Sequence, residues 1–232
     1  VNFQERVRKE KVSFLEGDMG FGKSKTARSI TLHYTAPEIF KQLGIIPVFT
    51  TFKNFSDSNK TLFDILKTAI ESYFKIENYP KAEILFIIDG VDEAINKNSS
   101  WKDRLQAAIR EVNTTPNFHM LITSRPLRQL DESMSIYAGT SRYILRPLSL
   151  SKLVAFVEQA CASLSLPKRL FEDLQRSDLF KQLPQSPIAA ALLSRLISQN
   201  TNDLPSNLTE LYSKSIENLL GRWDIEKGGC TE

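Results

Sequence analysis

Gly17-Asp18-Met19-Gly20-Phe21-Gly22-Lys23-Ser24 fits the pattern G-x-x-x-x-G-K-[ST], the phosphate-binding loop called Walker A. Each part of the pattern has a physical reason. Glycines 17, 20 and 22 permit turns with positive φ and let the backbone come close to a phosphate. Successive N–H groups then form an anion-binding nest, closed by the positive end of the following helix. Lys23 is expected to reach the β- and γ-phosphates, and the Ser24 hydroxyl to ligate Mg²⁺. Asp18, Met19, Phe21 and Lys25 complete the candidate nucleotide-binding set. The context agrees: Val12-Ser13-Phe14-Leu15 reads as a buried strand, and Lys23 to His33 as a helix closed off by Pro37. The alternative is a glycine-rich turn with no ligand, which a flanking strand and helix make less favoured.

Working outward, 232 residues suffice for one α/β domain with a small accessory domain. The net charge of +3 is a weak excess with no dense Lys/Arg block, so nucleic acid is not indicated. The basic start, Arg6 to Lys11, reads as a solvated helix face. Cys161 and Cys230 lie far apart without a Cys-x-x-Cys or Cys/His cluster. That argues against zinc and a disulfide framework, and fits a reducing cytoplasm. The longest apolar run, Ile84 to Ile88, is far too short to span a bilayer, and no signal-peptide pattern opens the chain. Both ends read as cuts in a longer polypeptide.

Five strands are expected: 12–16, 45–53, 84–88, 118–123 and 143–145. Pro47 removes a ladder donor from the second, which places it at a sheet edge. Ile84 to Ile88 are branched and continuous, as a strand buried on both faces should be. Apolar residues at helical spacing predict helices over 61–75 and 101–112 between the strands. Alternation of this kind predicts an α/β fold with a mostly parallel, doubly wound sheet. After Pro147 strand signals stop and four helical stripes follow: Leu150 to Cys161, Leu170 to Leu174, Ala189 to Ile197 and Leu208 to Trp223, the last capped by Asn207. The expected division is therefore 1–147 and 148–232. Phe49, Phe52 and Phe55 read as packing, and His33 and His119 as structural or near-core residues.

Ile84-Leu85-Phe86-Ile87-Ile88-Asp89 is an apolar strand ending in a carboxylate, the Walker B arrangement. The strand would place Asp89 at the carboxyl edge of the sheet, to hold Mg²⁺ opposite Ser24. Asp92 and Glu93 follow within one turn, where a carboxylate can orient or deprotonate the attacking water. Gly90 leaves room after Asp89, and Glu93 is expected to point elsewhere, which favours Asp92. Met120 to Pro126 form a strand exiting through Ser124 and Arg125. If it lies between strands one and three, both residues face the γ-phosphate, and the arginine can stabilise transferring charge. The absence of N-K-x-D after the Walker B strand makes adenine the default base. Ser186-Pro187 reads as a helix N-cap with proline at the first position. A second reading, compatible with the first, puts Pro187 against the adenine.

These residues resemble the NACHT ATPases within the STAND group of P-loop switches, over nearly the whole chain. Asp89-Gly90-Val91-Asp92-Glu93 is the most specific match. NACHT proteins put a small residue after the metal-binding aspartate and an acid two positions on. Leu15-Glu16-Gly17, Thr123-Ser124-Arg125-Pro126, Leu148-Ser149-Leu150, Ser186-Pro187-Ile188 and Leu204-Pro205 with Glu210-Leu211-Tyr212 are similar too. The resemblance implies a P-loop NTPase core with AAA+-like strand order and a small helical lid, binding ATP and ADP with Mg²⁺. It further implies a resting ADP state, homo-oligomerisation on activation, and effector and sensor domains outside this chain. Innate immunity and bacterial antiviral defence are the roles it suggests. Two departures stand out. The adenine motif, usually Gly-x-Pro, reads Gln185-Ser186-Pro187, and no histidine follows His119 to hold ADP. A slow regulatory ATPase is the first reading. A DNA-linked loader ATPase and a nucleotide-binding scaffold without hydrolysis are the alternatives. A loader would want a basic strip or wing, and the intact Lys23, Ser24, Asp89, Asp92 and Glu93 argue against a scaffold.

Overall fold

The computed structural model describes residues 2–58, 60–73, 82–93, 100–126, 139–162 and 186–199, with positions 209, 210, 213 and 216. The chain divides into two compact units. The first comprises 1–19 and 23–145; the second comprises 20–22 and 146–232.

Five strands form the sheet of the first unit: β1 (Val12–Glu16), β2 (Ile45–Thr51), β3 (Glu83–Asp89), β4 (Phe118–Ser124) and β5 (Ser141–Ile144), in the order β2-β3-β4-β1-β5. Every pairing is parallel. β2 is an edge strand, as Pro47 requires. β4 lies between β3 and β1 in the sheet, pairing Met120 with Val12 on one side and Phe118 with Ile84 on the other. That is the position in which Ser124 and Arg125 leave the sheet beside the phosphate loop.

Strand alternation splits the core into two layers. Val12, Phe14, Ile84, Phe86, Ile88, Met120 and Ile122 face α4 (Phe52–Asp57), α5 (Leu62–Tyr73) and α6 (Trp101–Thr114). Leu15, Leu85, Ile87 and Leu121 face the other side, with Val7 of α1 (Phe3–Lys9) and Ala27, Ile30 and Tyr34 of α2 (Lys23–Thr35). A sheet covered on both faces explains why its strands read as continuous apolar runs.

Boundaries move by one or two residues for local reasons. Pro37 ends α2 by starting α3 (Pro37–Leu43) with proline at its first turn, and Gly44 closes α3 in the left-handed region at φ 65°. Residues 52 and 53, expected in β2, belong to α4, whose N-cap Thr51 accepts the Asn54 N–H. Phe52 and Phe55 are buried with ring centroids 5.9 Å apart, so the aromatic run is packing. The basic start is not only a solvated face. Val7 is buried, Arg8 pairs with Glu83 at 3.0 Å, and the Lys11 ammonium donates to the carbonyls of Thr115, Pro116 and Phe118. His119 is half-buried, its Nδ1 3.0 Å from the Glu10 carbonyl.

In the second unit α7 (Leu150–Ala160) and α8 (Pro187–Gln199) share a core of Leu153, Val157, Cys161, Ala189, Ala190, Leu193 and Ile197. Ser149 caps α7 by accepting the Lys152 N–H. The stripe at 170–174 lies outside the described residues, as do Asn207 and most of the helix expected over 208–223.

Phe86 sits at the centre of the sheet, fully buried and edge-on to Phe118 at 5.0 Å. Phe86→Ala is expected to cost about 3–5 kcal/mol, a large aromatic removed from a close-packed core. Urea unfolding against the parent chain measures it; a loss below about 1 kcal/mol would contradict the packing described.

Candidate nucleotide-binding site

The site grows from the carboxyl edge of β1. Gly17 is buried, and its N–H donates to the Ser124 carbonyl at 3.2 Å, tying the root of the loop to β4. Gly20 and Gly22 adopt φ of 79° and 91°, a backbone that L side chains rarely take. α2 begins at Lys23, so the loop runs straight into a helix N-terminus. The Lys23 ammonium donates to the carbonyls of Gly17 (2.7 Å) and Asp18 (3.1 Å). Burial holds its pKa below the ordinary lysine range. Asp92 opposes that shift most, Arg125 adds to it, and Asp18 and Asp89 oppose it more weakly. The four charged groups therefore lie within electrostatic reach of the lysine.

Asp89 ends β3 and is buried. The Thr123 hydroxyl donates to Asp89 Oδ1 and accepts the Gly90 N–H at 3.0 Å. Gly90 turns the chain at φ 79°, and a 3-10 turn, Val91–Glu93, follows. A Cβ on Gly90 would stand 3.2 Å from Glu93 Cδ. The room beside Gly90 is thus occupied by the Glu93 side chain, which folds back over it instead of pointing away as the sequence suggested. Asp92 is held at both oxygens by one residue: the Arg125 N–H donates to Oδ1 at 3.0 Å, and Arg125 Nε lies 2.9 Å from Oδ2. The Asp92 side chain is 15% exposed and that of Arg125 is 54% exposed. The acid is confined, whereas the arginine can leave into solvent.

Gly17, Lys23, Asp89, Asp92, Glu93, Ser124 and Arg125, all expected at the site, cluster at the carboxyl edges of β1, β3 and β4 and in the turns just beyond. Ser24 and Lys25 are exposed on the first turn of α2, and Asp18 and Met19 are exposed on the loop, Met19 at 73%. Phe21 is half-buried. Pro187 is the first residue of α8 in the second unit, where the Ser186 hydroxyl accepts the Ala189 N–H at 3.3 Å, so the N-cap reading holds. Two residues of this edge receive no individual role from the sequence, although both lie in stretches that resemble the family. One is Thr123, whose alternation only marks it as a strand residue. The other is Glu16, a side chain 1% exposed, immediately before the loop and paired with Arg142 at 2.8 Å.

The groups suit a magnesium nucleotide. Ser124 Oγ is buried with no hydrogen-bond partner, an orphaned donor beside the loop's root. Ser24 and Asp89 supply hard oxygen donors. No group of three or more His, Cys, Asp or Glu that could hold a metal occurs among the described residues. Mg²⁺ fits such a site, being bound through one or two protein oxygens plus phosphates and not in an all-protein cage.

Fold and site together define a nucleotide-binding P-loop ATPase module. The family model described as NACHT domain matches residues 11–163, well over half of the chain, and the chain belongs to the NACHT family. No match was found among curated protein sequences. Solved structures share the fold. Domain III of the Thermotoga maritima replication initiation protein DnaA is 16% identical with a TM-score of 0.54, over 90% of this chain and 86% of that one. A Walker-type ATPase of Pyrococcus abyssi is 12% identical with a TM-score of 0.59, over 98% and 75%. The Aeropyrum pernix ORC2 protein in its ADP form is 13% identical with a TM-score of 0.59, over 92% and 65%.

Lys23→Ala is expected to weaken nucleotide binding by roughly tenfold or more, the value of a charge-assisted hydrogen bond. Fluorescent-nucleotide titration tests it, and parental affinity in the variant would mean that the loop is not the site.

Proposed function

We propose that this chain is the ATP-binding, slowly hydrolysing switch module of a cytoplasmic STAND-type signalling or defence protein. Residues 1–147 form the ATPase core and 148–232 a helical lid, and nucleotide state controls homo-oligomerisation. Effector and sensor domains lie outside this chain. The observation that carries the reading is the gathering of Lys23, Asp89 and the Asp92–Arg125 pair at one sheet edge, next to the glycine-rich loop.

The roles follow from the chemistry of each group. Backbone N–H groups of residues 17–22 cradle the phosphates, and Lys23 gives up its loop carbonyls for the β- and γ-oxygens. Ser24 and Asp89 hold Mg²⁺, which supplies neutralisation of charge on the phosphate oxygens. Arg125 trades Asp92 for the γ-phosphate, and the released Asp92 orients the attacking water. An acid paired with arginine at both oxygens is a poor water acceptor, so hydrolysis is slow until the arginine moves. Ser124 offers its buried hydroxyl to the phosphate.

A DNA-linked loader is the second reading. Among the structural neighbours is the Aeropyrum pernix ORC1 protein, whose structure is in complex with DNA. At 13% identity that likeness carries the fold alone. The switch reading rests on the family.

Two measurements test the proposal. Calorimetry with Mg²⁺ is expected to show tighter binding of ATP or ADP than of GTP, and equal or tighter GTP binding would overturn the adenine assignment. Asp92→Asn is expected to keep ATP binding and to slow single-turnover hydrolysis more than tenfold, within the roughly 10²–10⁴ that a general base contributes. An unchanged rate for Asp92→Asn, with a large loss for Glu93→Gln, would transfer the role to Glu93, whose side chain already lies over Gly90.

A further inference from the structure

We infer that Thr123 is a positioning residue for the metal-bearing aspartate, acting through Asp89 and not on the nucleotide. The inference rests on the ATPase reading above and deepens it.

Thr123 is the penultimate residue of β4 and fully buried. Its strand neighbour is β3, paired in register up to Ile88 with Ile122, so Thr123 and Asp89 stand one step beyond the last pair. The hydroxyl has one proton and two lone pairs. Gly90 N–H can only donate, so it takes a lone pair of the hydroxyl, 3.0 Å away. The hydroxyl proton is left for Asp89 Oδ1, and the contact between them is short. The direction of both bonds is therefore settled by donor and acceptor chemistry. One side chain fixes the rotamer of the carboxylate through Oδ1, which leaves Oδ2 as the oxygen for a cation. It also holds the N–H of the residue that reverses the chain at φ 79° toward Asp92 and Glu93. Neither valine nor alanine could do either, and serine could do both. Partners of this kind, which hold a metal ligand without touching the metal, typically contribute about 10–100-fold in metal affinity or activity.

A packing role would give the opposite order of variants. Thr123 makes its contacts in a close-packed strand, where valine keeps the shape and serine loses a methyl group. The two roles thus differ in which substitution is tolerated.

The test uses the full chain and ADP as the probe, so that turnover plays no part. ADP affinity is measured by calorimetry in Mg²⁺ and in EDTA, for the parent, Thr123→Val and Thr123→Ser. The expected result is a Thr123→Val chain that binds ADP as the parent does in EDTA and loses about 10–100-fold in the Mg²⁺ affinity of its ADP complex. Thr123→Ser is expected to restore parental behaviour. Parental Mg²⁺ affinity in Thr123→Val, or an equal loss with and without metal, would overturn the inference. So would a Thr123→Val chain that fails to fold, since the hydroxyl would then be a requirement of the fold. A parent chain that binds no ADP in either condition would remove the ATPase reading itself, and is distinct from every outcome that compares the variants.

Discussion

Parallel pairing of β4 between β3 and β1 is the constraint on which the rest of the site depends. In a parallel sheet every strand delivers its carboxyl end to the same edge, and the crossovers return the chain along the faces. Inserting β4 between the loop-bearing strand and the aspartate-bearing strand puts Thr123, Ser124 and Arg125 in the middle of that edge. Three contacts hang on this one placement. The Gly17 N–H bonds the Ser124 carbonyl, the Thr123 hydroxyl bonds Asp89, and Arg125 grips Asp92. Two apolar layers, one on each face, hold the strand in place, so the edge inherits the rigidity of a close-packed core.

That edge also carries an unusual load of charge for a buried region. Burying an ion without a partner is costly, and the charged groups named here each have one. Glu16 meets Arg142 across β1 and β5, Asp89 meets the Thr123 hydroxyl, and Lys23 meets the carbonyls of its own loop. The lysine is the telling case. Its depressed pKa reflects a burial that nearby carboxylates only partly offset. A negative charge placed beside the lysine would oppose that shift, as the carboxylates already do. Arg125 differs from the others in being half-exposed.

The sequence by itself determined the architecture of the sheet and the place of the candidate site on it. Residue-local physics was enough: unbroken branched apolar runs for strands buried on two faces, Pro47 for an edge, 3.6-residue stripes for α5, α6 and α7, and glycines where a phosphate loop must turn. Those are statements about short stretches, and short stretches carry them. The loop, Asp89 and the Asp92-Glu93 pair were legible for the same reason. Each is a pattern of spacing along one segment.

Only the tertiary structure decided who faces whom. Asp92 and Arg125 are 33 residues apart, as are Gly90 and Thr123, and Glu16 and Arg142 are 126 apart. Such pairs depend on strand order and register, which no window of the sequence contains. A one-residue slip in β4 would turn Thr123 away from Asp89 and present Ser124 or Ile122 in its place. The fold of Glu93 back over Gly90 was hidden for a related reason. It accompanies a positive-φ turn at Gly90, whose N–H donates to the Thr123 hydroxyl of another strand. Periodicity and motif spacing select the elements; register, enforced by packing on both faces of the sheet, selects the partners.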